Sequence, residues 1–182
     1  MNILDQINDN AITDVRLNDT EHKKLWKGAG VEQLIEALSK NTSIESIRFE
    51  GEFLGCVRSE PRKTLIETIG KLPNLHEVHM NESLLDISAM TNMIISAKNL
   101  RILKLNAIVF QGAKEGIPDC VVALHAHMSM KEFEMKDCLA TDSSISLQPL
   151  ELAAKKVTTV GKAPTTSAPT SSIQVKRTTP VA

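Results

Sequence analysis

The 182-residue chain predicts an α/β fold: a right-handed β-α solenoid bent into a short horseshoe, with parallel strands inside, helices outside and a disordered C-terminal tail. Three observations predict it. An apolar triplet of the form Φ-x-x-Φ-x-Φ recurs at Ile12/Val15/Leu17, Ile44/Ile47/Phe49, Leu75/Val78/Met80, Leu100/Leu103/Leu105 and Met130/Phe133/Met135, which sets the strand number at five. The first members of these triplets lie 32, 31, 25 and 30 residues apart, a period that belongs to stacked two-element units. Between successive triplets runs a stretch of helical period. A unit of this size cannot bury its own apolar face and must stack on its neighbours.

The elements follow in order. Residues 1–11 carry Ile3, Leu4 and Ile7 on one stripe and predict a capping helix over the open end of the first coil. The repeat domain is placed at 12–156. Its first helix is read from Val31, Leu34, Ile35 and Leu38, the i, i+3, i+4, i+7 pattern of an amphipathic helix. Leu65, Ile66, Ile69 and Leu72 predict the second, Ile87, Met90, Ile94 and Ile95 the third, and Ile117, Val121, Leu124 and Met128 the fourth. Pro61 and Pro118 are expected in first helical turns, where a missing N–H is harmless. Asn41, Asn74 and Asn99 are expected to end helices in the left-handed conformation. Gly51, Gly55, Gly112 and Gly116 mark the loops leaving the second and fourth strands.

Strand-helix-strand connections imply parallel strands and right-handed crossovers. Helices are wider than the strand spacing of about 4.8 Å, so the stack must curve with its strands on the concave side. Ile145, Leu147, Leu150 and Ala154 predict a closing helix, opened by Gln148-Pro149. Over residues 157–182 Thr, Ser, Ala and Pro dominate without apolar period, which predicts a disordered basic tail.

Composition narrows the function. Hydrophobic residues make up 42% of the chain and aromatics only 3%, so the core is aliphatic, as regularly stacked coils require. All 22 acidic residues lie at or before Glu151, whereas Lys155, Lys156, Lys162, Lys176 and Arg177 follow it. The acidic body argues against nucleic-acid binding, which rests mainly on phosphate neutralisation. Cys56, Cys120 and Cys138 form neither a CxxC nor a Cys/His cluster, and are expected to be reduced thiols in a cytoplasmic protein. No stretch approaches the roughly 20 apolar residues of a membrane span, and the N-terminus lacks a signal-peptide pattern. Neither membrane binding nor a cofactor is expected.

Phrases such as Leu34-Ile35-Glu36-Ala37-Leu38-Ser39-Lys40-Asn41-Thr42-Ser43-Ile44 and Asn99-Leu100-Arg101-Ile102-Leu103-Lys104-Leu105-Asn106 resemble leucine-rich repeats of the ribonuclease-inhibitor-like class. The match covers roughly residues 10–140. A short helix and an Asn/Asp-rich turn (Asn8-Asp9-Asn10) before the first strand also resemble the leucine-rich domain of tropomodulins, which cap the pointed ends of actin filaments. The disordered N-terminal half through which tropomodulins bind tropomyosin and actin has no counterpart here. The repeat class also favours Asn or Cys three residues after the last strand hydrophobe; those positions hold Thr20, Glu52, Ser83, Ile108 and Cys138.

The candidate site is the concave face, where strand periodicity of two places the residues between the apolar ones. Its central column is Arg16, Arg48, His79, Lys104 and Glu134; a second runs Asn18, Glu50, Asn81, Asn106 and Lys136; a third runs Asp14, Ser46, Glu77, Ile102 and Glu132. Four basic residues in line would repel one another, which predicts either a partner with an acidic surface or neutralisation by Glu50, Glu77 and Glu132. His76 and His79 at i, i+3 of a strand face apart, as do His125 and His127 two apart on a helix, so no metal site is expected. No phosphate-binding glycine loop or nucleophile elbow is present, and no catalytic residue is predicted. The expected function is a non-enzymatic protein-interaction scaffold binding through the concave strands and the loops at 18–30, 50–62 and 106–116. The alternatives are a tropomodulin-like actin-binding protein, or a leucine-rich-repeat regulator that lends Arg58 or Arg62 to a small GTPase.

Overall fold

Each apolar triplet becomes one strand, and each strand is laid down on the one before it. The computed structural model describes residues 2–161, with side-chain surroundings to residue 158. Five strands, β1 (Asp14–Asn18), β2 (Ser46–Glu50), β3 (Glu77–Asp86), β4 (Ile102–Gln111) and β5 (Glu132–Lys136), pair in chain order and are all parallel. A short β6 (Leu139–Ala140) pairs with the far end of β4. Helices return the chain between strands and pack in sequence: α1 (Ile3–Asn8), α2 (Gly30–Lys40), α4 (Ser59–Ile69), α5 (Ile87–Ser96), α6 (Ala113–Ala126) and α7 (Gln148–Gly161). One four-residue helix, α3 (Phe53–Cys56), lies against β2 and β3 instead. The result is the expected leucine-rich-repeat-like solenoid. Among the described residues, no helix is long and apolar enough to cross a membrane.

The core is the seam between sheet and helices. Val15, Leu17, Ile47, Phe49, Val78, Met80, Leu103, Leu105 and Phe133 are buried on the sheet side, meeting Leu34, Leu38, Leu65, Ile66, Ile69, Met90, Ile94 and Leu124 from the helices. At the crossing of α4 and α5 the two backbones approach so closely that a Cβ on Gly70 would stand 2.7 Å from Met93 Cα. Only glycine fits there.

The register repeats at every step. Glu45 and Ser46 both donate N–H bonds to Thr13 O, His76 and Glu77 to Glu45 O, Arg101 and Ile102 to His76 O, and Lys131 and Glu132 to Arg101 O. The three asparagines expected as left-handed helix ends have another role. Asn41 is extended (φ −78°, ψ 139°), and neither Asn74 nor Asn99 has positive φ. Their amides cross to the preceding coil instead: Asn41 to Ile7 O at 2.6 Å, Asn74 to Thr42 O at 2.8 Å, and Asn99 to Pro73 O at 2.8 Å. His127 Nε2 continues the series to Ala97 O at 2.9 Å. The inter-coil bonds that the repeat class makes after the strand are thus made before it. Of the post-strand positions, Ile108 is in the core, Ser83 bonds within its own strand to Asn81 O, and Cys138 Sγ alone reaches the neighbouring coil, 3.7 Å from Leu105 O.

Other expectations are corrected by the backbone. The segment 106–111 is strand, not loop. Gly51 (φ 57°), Glu82 (φ 47°), Ala107 (φ 53°) and Asp137 (φ 53°) are all left-handed, and this kink resets the alternation: buried Val78 and Met80 give way to Ser83 and Leu85, and Leu103 and Leu105 to Ile108 and Phe110. A second ladder, 83–86 on 108–111, follows. Pro61 is in the first turn of α4, but Pro118 is the sixth residue of α6, because Gly112 in the left-handed conformation starts that helix early. Met128 and Ile95, read as core positions, are 96% and 59% exposed; Met128 lies beyond the helix end. The closing helix reaches Gly161, past the expected boundary at 156, because Val157 continues the buried stripe of Leu150, Ala153 and Ala154. The expected disorder of 162–182 concerns residues outside those described.

Candidate functional site

On the sheet face turned away from the helices, the register aligns the central column as read: Arg16, Arg48, His79, Lys104 and Glu134 are successive partners. The flanking column aligns as Asp14, Ser46, Glu77, Ile102 and Glu132. In the remaining column Asn18 pairs with Glu50, Asn81 with Asn106, and Asn106 with Lys136, while β2 and β3 stay paired only as far as Phe49 and Met80.

The flanking carboxylates disperse the line of positive charge. Arg16 lies 3.7 Å from Asp14, Arg48 Nη2 donates to Glu77 Oε1 at 2.9 Å, and Lys104 lies 2.9 Å from Glu132 and 3.6 Å from Glu134. The bond it donates to Glu132, against a smaller opposing effect of burial, holds the Lys104 ammonium above its ordinary pKa. His79 goes the other way. Burial, reinforced by Arg48 and Lys104 and opposed by Glu77, pushes its pKa below the ordinary histidine value, so the imidazole is neutral at pH 7. The column is basic at Arg16, Arg48 and Lys104 rather than at four places. Glu77 and Glu132 act as the sequence predicted, Asp14 joins them, and Glu50 forms no ion pair.

One cluster on this face was not legible in the sequence. Ser46 Oγ, Arg48 Nε and His79 Nε2 are buried atoms without hydrogen-bond partners, all on the adjoining strands β2 and β3. His79 Nε2 stands 2.8 Å from Glu77 Oε1 without making a hydrogen bond to it, and the same oxygen accepts from Arg48 Nη2. Buried polar groups are nearly always paired, so three orphans on one patch mark it out. A Ser beside an Arg–His pair is unremarkable as sequence; only the register assembles it.

The other candidates separate. Arg62 is buried and donates to Leu54 O and Val57 O, both at 3.2 Å; it braces α3 against α4 and is not available to reach into another protein. Arg58 is exposed at the start of α4. Among the described residues no group of three His, Cys, Asp or Glu is placed to hold a metal. Cys120 is buried, and that burial pushes its thiol up to about 11, a packing residue rather than a nucleophile.

No family model matches the chain, and no curated protein matches its sequence. Its fold is similar to a solved structure, the C-terminal domain of tropomodulin from Caenorhabditis elegans, with a TM-score of 0.61 and 14% sequence identity, covering 87% of this chain and 90% of that one. At that identity the likeness speaks for the fold.

Proposed function

We propose that this chain is a non-enzymatic protein-interaction scaffold, cytoplasmic and of the ribonuclease-inhibitor-like repeat class, that holds its partner on the concave sheet face and the adjoining loops. The observation that carries the reading is the orphaned trio Ser46, Arg48 and His79 at the middle of that face. The Arg48 and His79 side chains are only partly buried, and Arg48 and Ser46 carry hydrogen-bond donors, so the partner presents an acceptor to this patch, a carboxylate or a main-chain carbonyl. The site extends along Arg16, Lys104 and Glu134 in the central column and Asn18, Glu50, Asn81 and Asn106 beside it. Because carboxylates already neutralise much of the column, the acidic surface expected of the partner narrows to a local one opposite Arg48.

The test is affinity capture with wild type and an Arg48→Gln/Lys104→Gln variant side by side. Loss of the captured partner, with unfolding free energy changed by no more than about 1 kcal/mol per exposed ion pair removed, is the expected result. Undiminished capture by the variant defeats the reading.

A second reading, an actin partner in the manner of tropomodulins, is favoured by the fold likeness over most of the tropomodulin domain. Co-sedimentation with filaments and pyrene-actin depolymerisation test it; no effect of the protein in either assay retires it.

A further inference from the structure

At the N-terminal end of the solenoid, well away from the orphaned trio, α1 and the β1–α2 loop enclose an open cavity of about 1010 Å³. Its floor is aliphatic: Ile3 and Leu4 from α1, and Leu25 from the loop. Its rim is basic, with Lys23, Lys24 and Lys27 within five residues of chain. None of the three is in an ion pair, although the body is acidic and most concave-face cations are matched by carboxylates. Glu21 is the one acidic residue lining the cavity, and it lies with the lysines without pairing to them.

The loop that carries this rim is built, not slack. Asn18 Oδ1 accepts from Glu21 N–H at 2.7 Å, Asn18 N–H donates to His22 Nδ1 at 3.2 Å, and Trp26 Nε1 donates to Asp19 O at 3.0 Å. Lys27 Nζ stands over the Trp26 ring, 5.0 Å from its centroid. The backbone that carries the lysines is therefore fixed beside the aliphatic floor, and like charges in one short segment oppose one another unless an anion joins them.

We infer that this cavity is a docking site for an acidic peptide segment carrying aliphatic side chains, the carboxylates meeting Lys23, Lys24 and Lys27 and an aliphatic group seating on Ile3, Leu4 and Leu25. Charge complementarity supplies encounter rate and specificity, and the floor supplies apolar burial. The side chains that line it are other than those of the sheet-face site.

The experiment uses the full chain and Trp26, its sole tryptophan, as reporter. A Glu/Leu peptide is titrated in, alongside a Gln/Leu peptide, a Glu/Ser peptide and vesicles of mixed phosphatidylcholine and phosphatidylserine. The expected result is a saturable change in Trp26 fluorescence with Glu/Leu only, weakened about tenfold or more by replacing either its charge or its leucines. A Lys23→Gln/Lys24→Gln variant, which breaks no ion pair and leaves Lys27 over the Trp26 reporter, is expected to lose most of the same response while keeping the wild-type circular dichroism and melting temperature. Equal response to Glu/Ser, an unaffected lysine variant, or lysine-dependent binding of vesicles without binding of Glu/Leu each overturns the proposal.

Discussion

Asp86 shows how one side chain at a corner decides whether a coil closes. Its carboxylate caps α5, accepting from Ser88 N–H at 2.9 Å, Ala89 N–H at 3.1 Å and Ser88 Oγ at 2.5 Å. Burial raises its pKa, but those bonds and the charge of Lys63 outweigh it, so the folded-state pKa falls below the ordinary 3.8. A carboxyl with a depressed folded pKa stabilises the fold above its unfolded value and loses that contribution as pH falls through the folded one. Asp86→Ala is therefore expected to cost about 1 kcal/mol at neutral pH, with the difference from wild type shrinking below pH 3.8; chemical denaturation at several pH values checks both parts. A gap that widens in acid would mean the cap is not ionic.

At the scale of the element, the corner asparagines carry what the post-strand positions carry in the repeat class. Asn41 is buried, donates to Ile7 O, and accepts from Ser43 and Ile44 N–H at 2.9 Å each. Asn41→Ala strands three main-chain groups in the interior and is expected to cost about 2–3 kcal/mol. Asn99→Ala, at an exposed corner with one such bond, is expected to cost about 1 kcal/mol or less. Similar losses at both sites in urea denaturation would show that the ladder is not what holds consecutive coils in step. These corners also show what a sequence hides. Triplets such as Leu75/Val78/Met80 announce strands because apolar period is local. Whether Asn74 turns left-handed or reaches across to Thr42 depends on the coil beneath, which is 32 residues away. The same holds for the orphaned trio: Arg48 and His79 were legible as a column, but Glu77 standing against both of them is a fact of register and side-chain geometry.

Across the whole molecule, stability follows the one-dimensional order of the stack. β3 and β4 each have a neighbour on both sides and pair with each other over two ladders, while β1 and β5 stand at the ends of the strand order. Repeat proteins open from their ends, so hydrogen exchange is expected to be slowest at Val78, Met80, Leu103 and Leu105 and fastest along β1 and β5. Uniform protection from β1 to β5 would instead mark a single cooperative block. The architecture is read from five apolar triplets with ease; the partners are not, because the concave face is mixed in charge and neutralised by pairs both within and across strands.

The shared anchoring of each strand start on the one below also has an evolutionary reach. Coil lengths differ by several residues here, yet all begin their strands with the same pair of N–H bonds to one carbonyl. Insertions and deletions are thereby absorbed in the return path and never shift the inner ribbon. Lineages of such chains can remodel loops, including those that greet other molecules, while every rung stays in place.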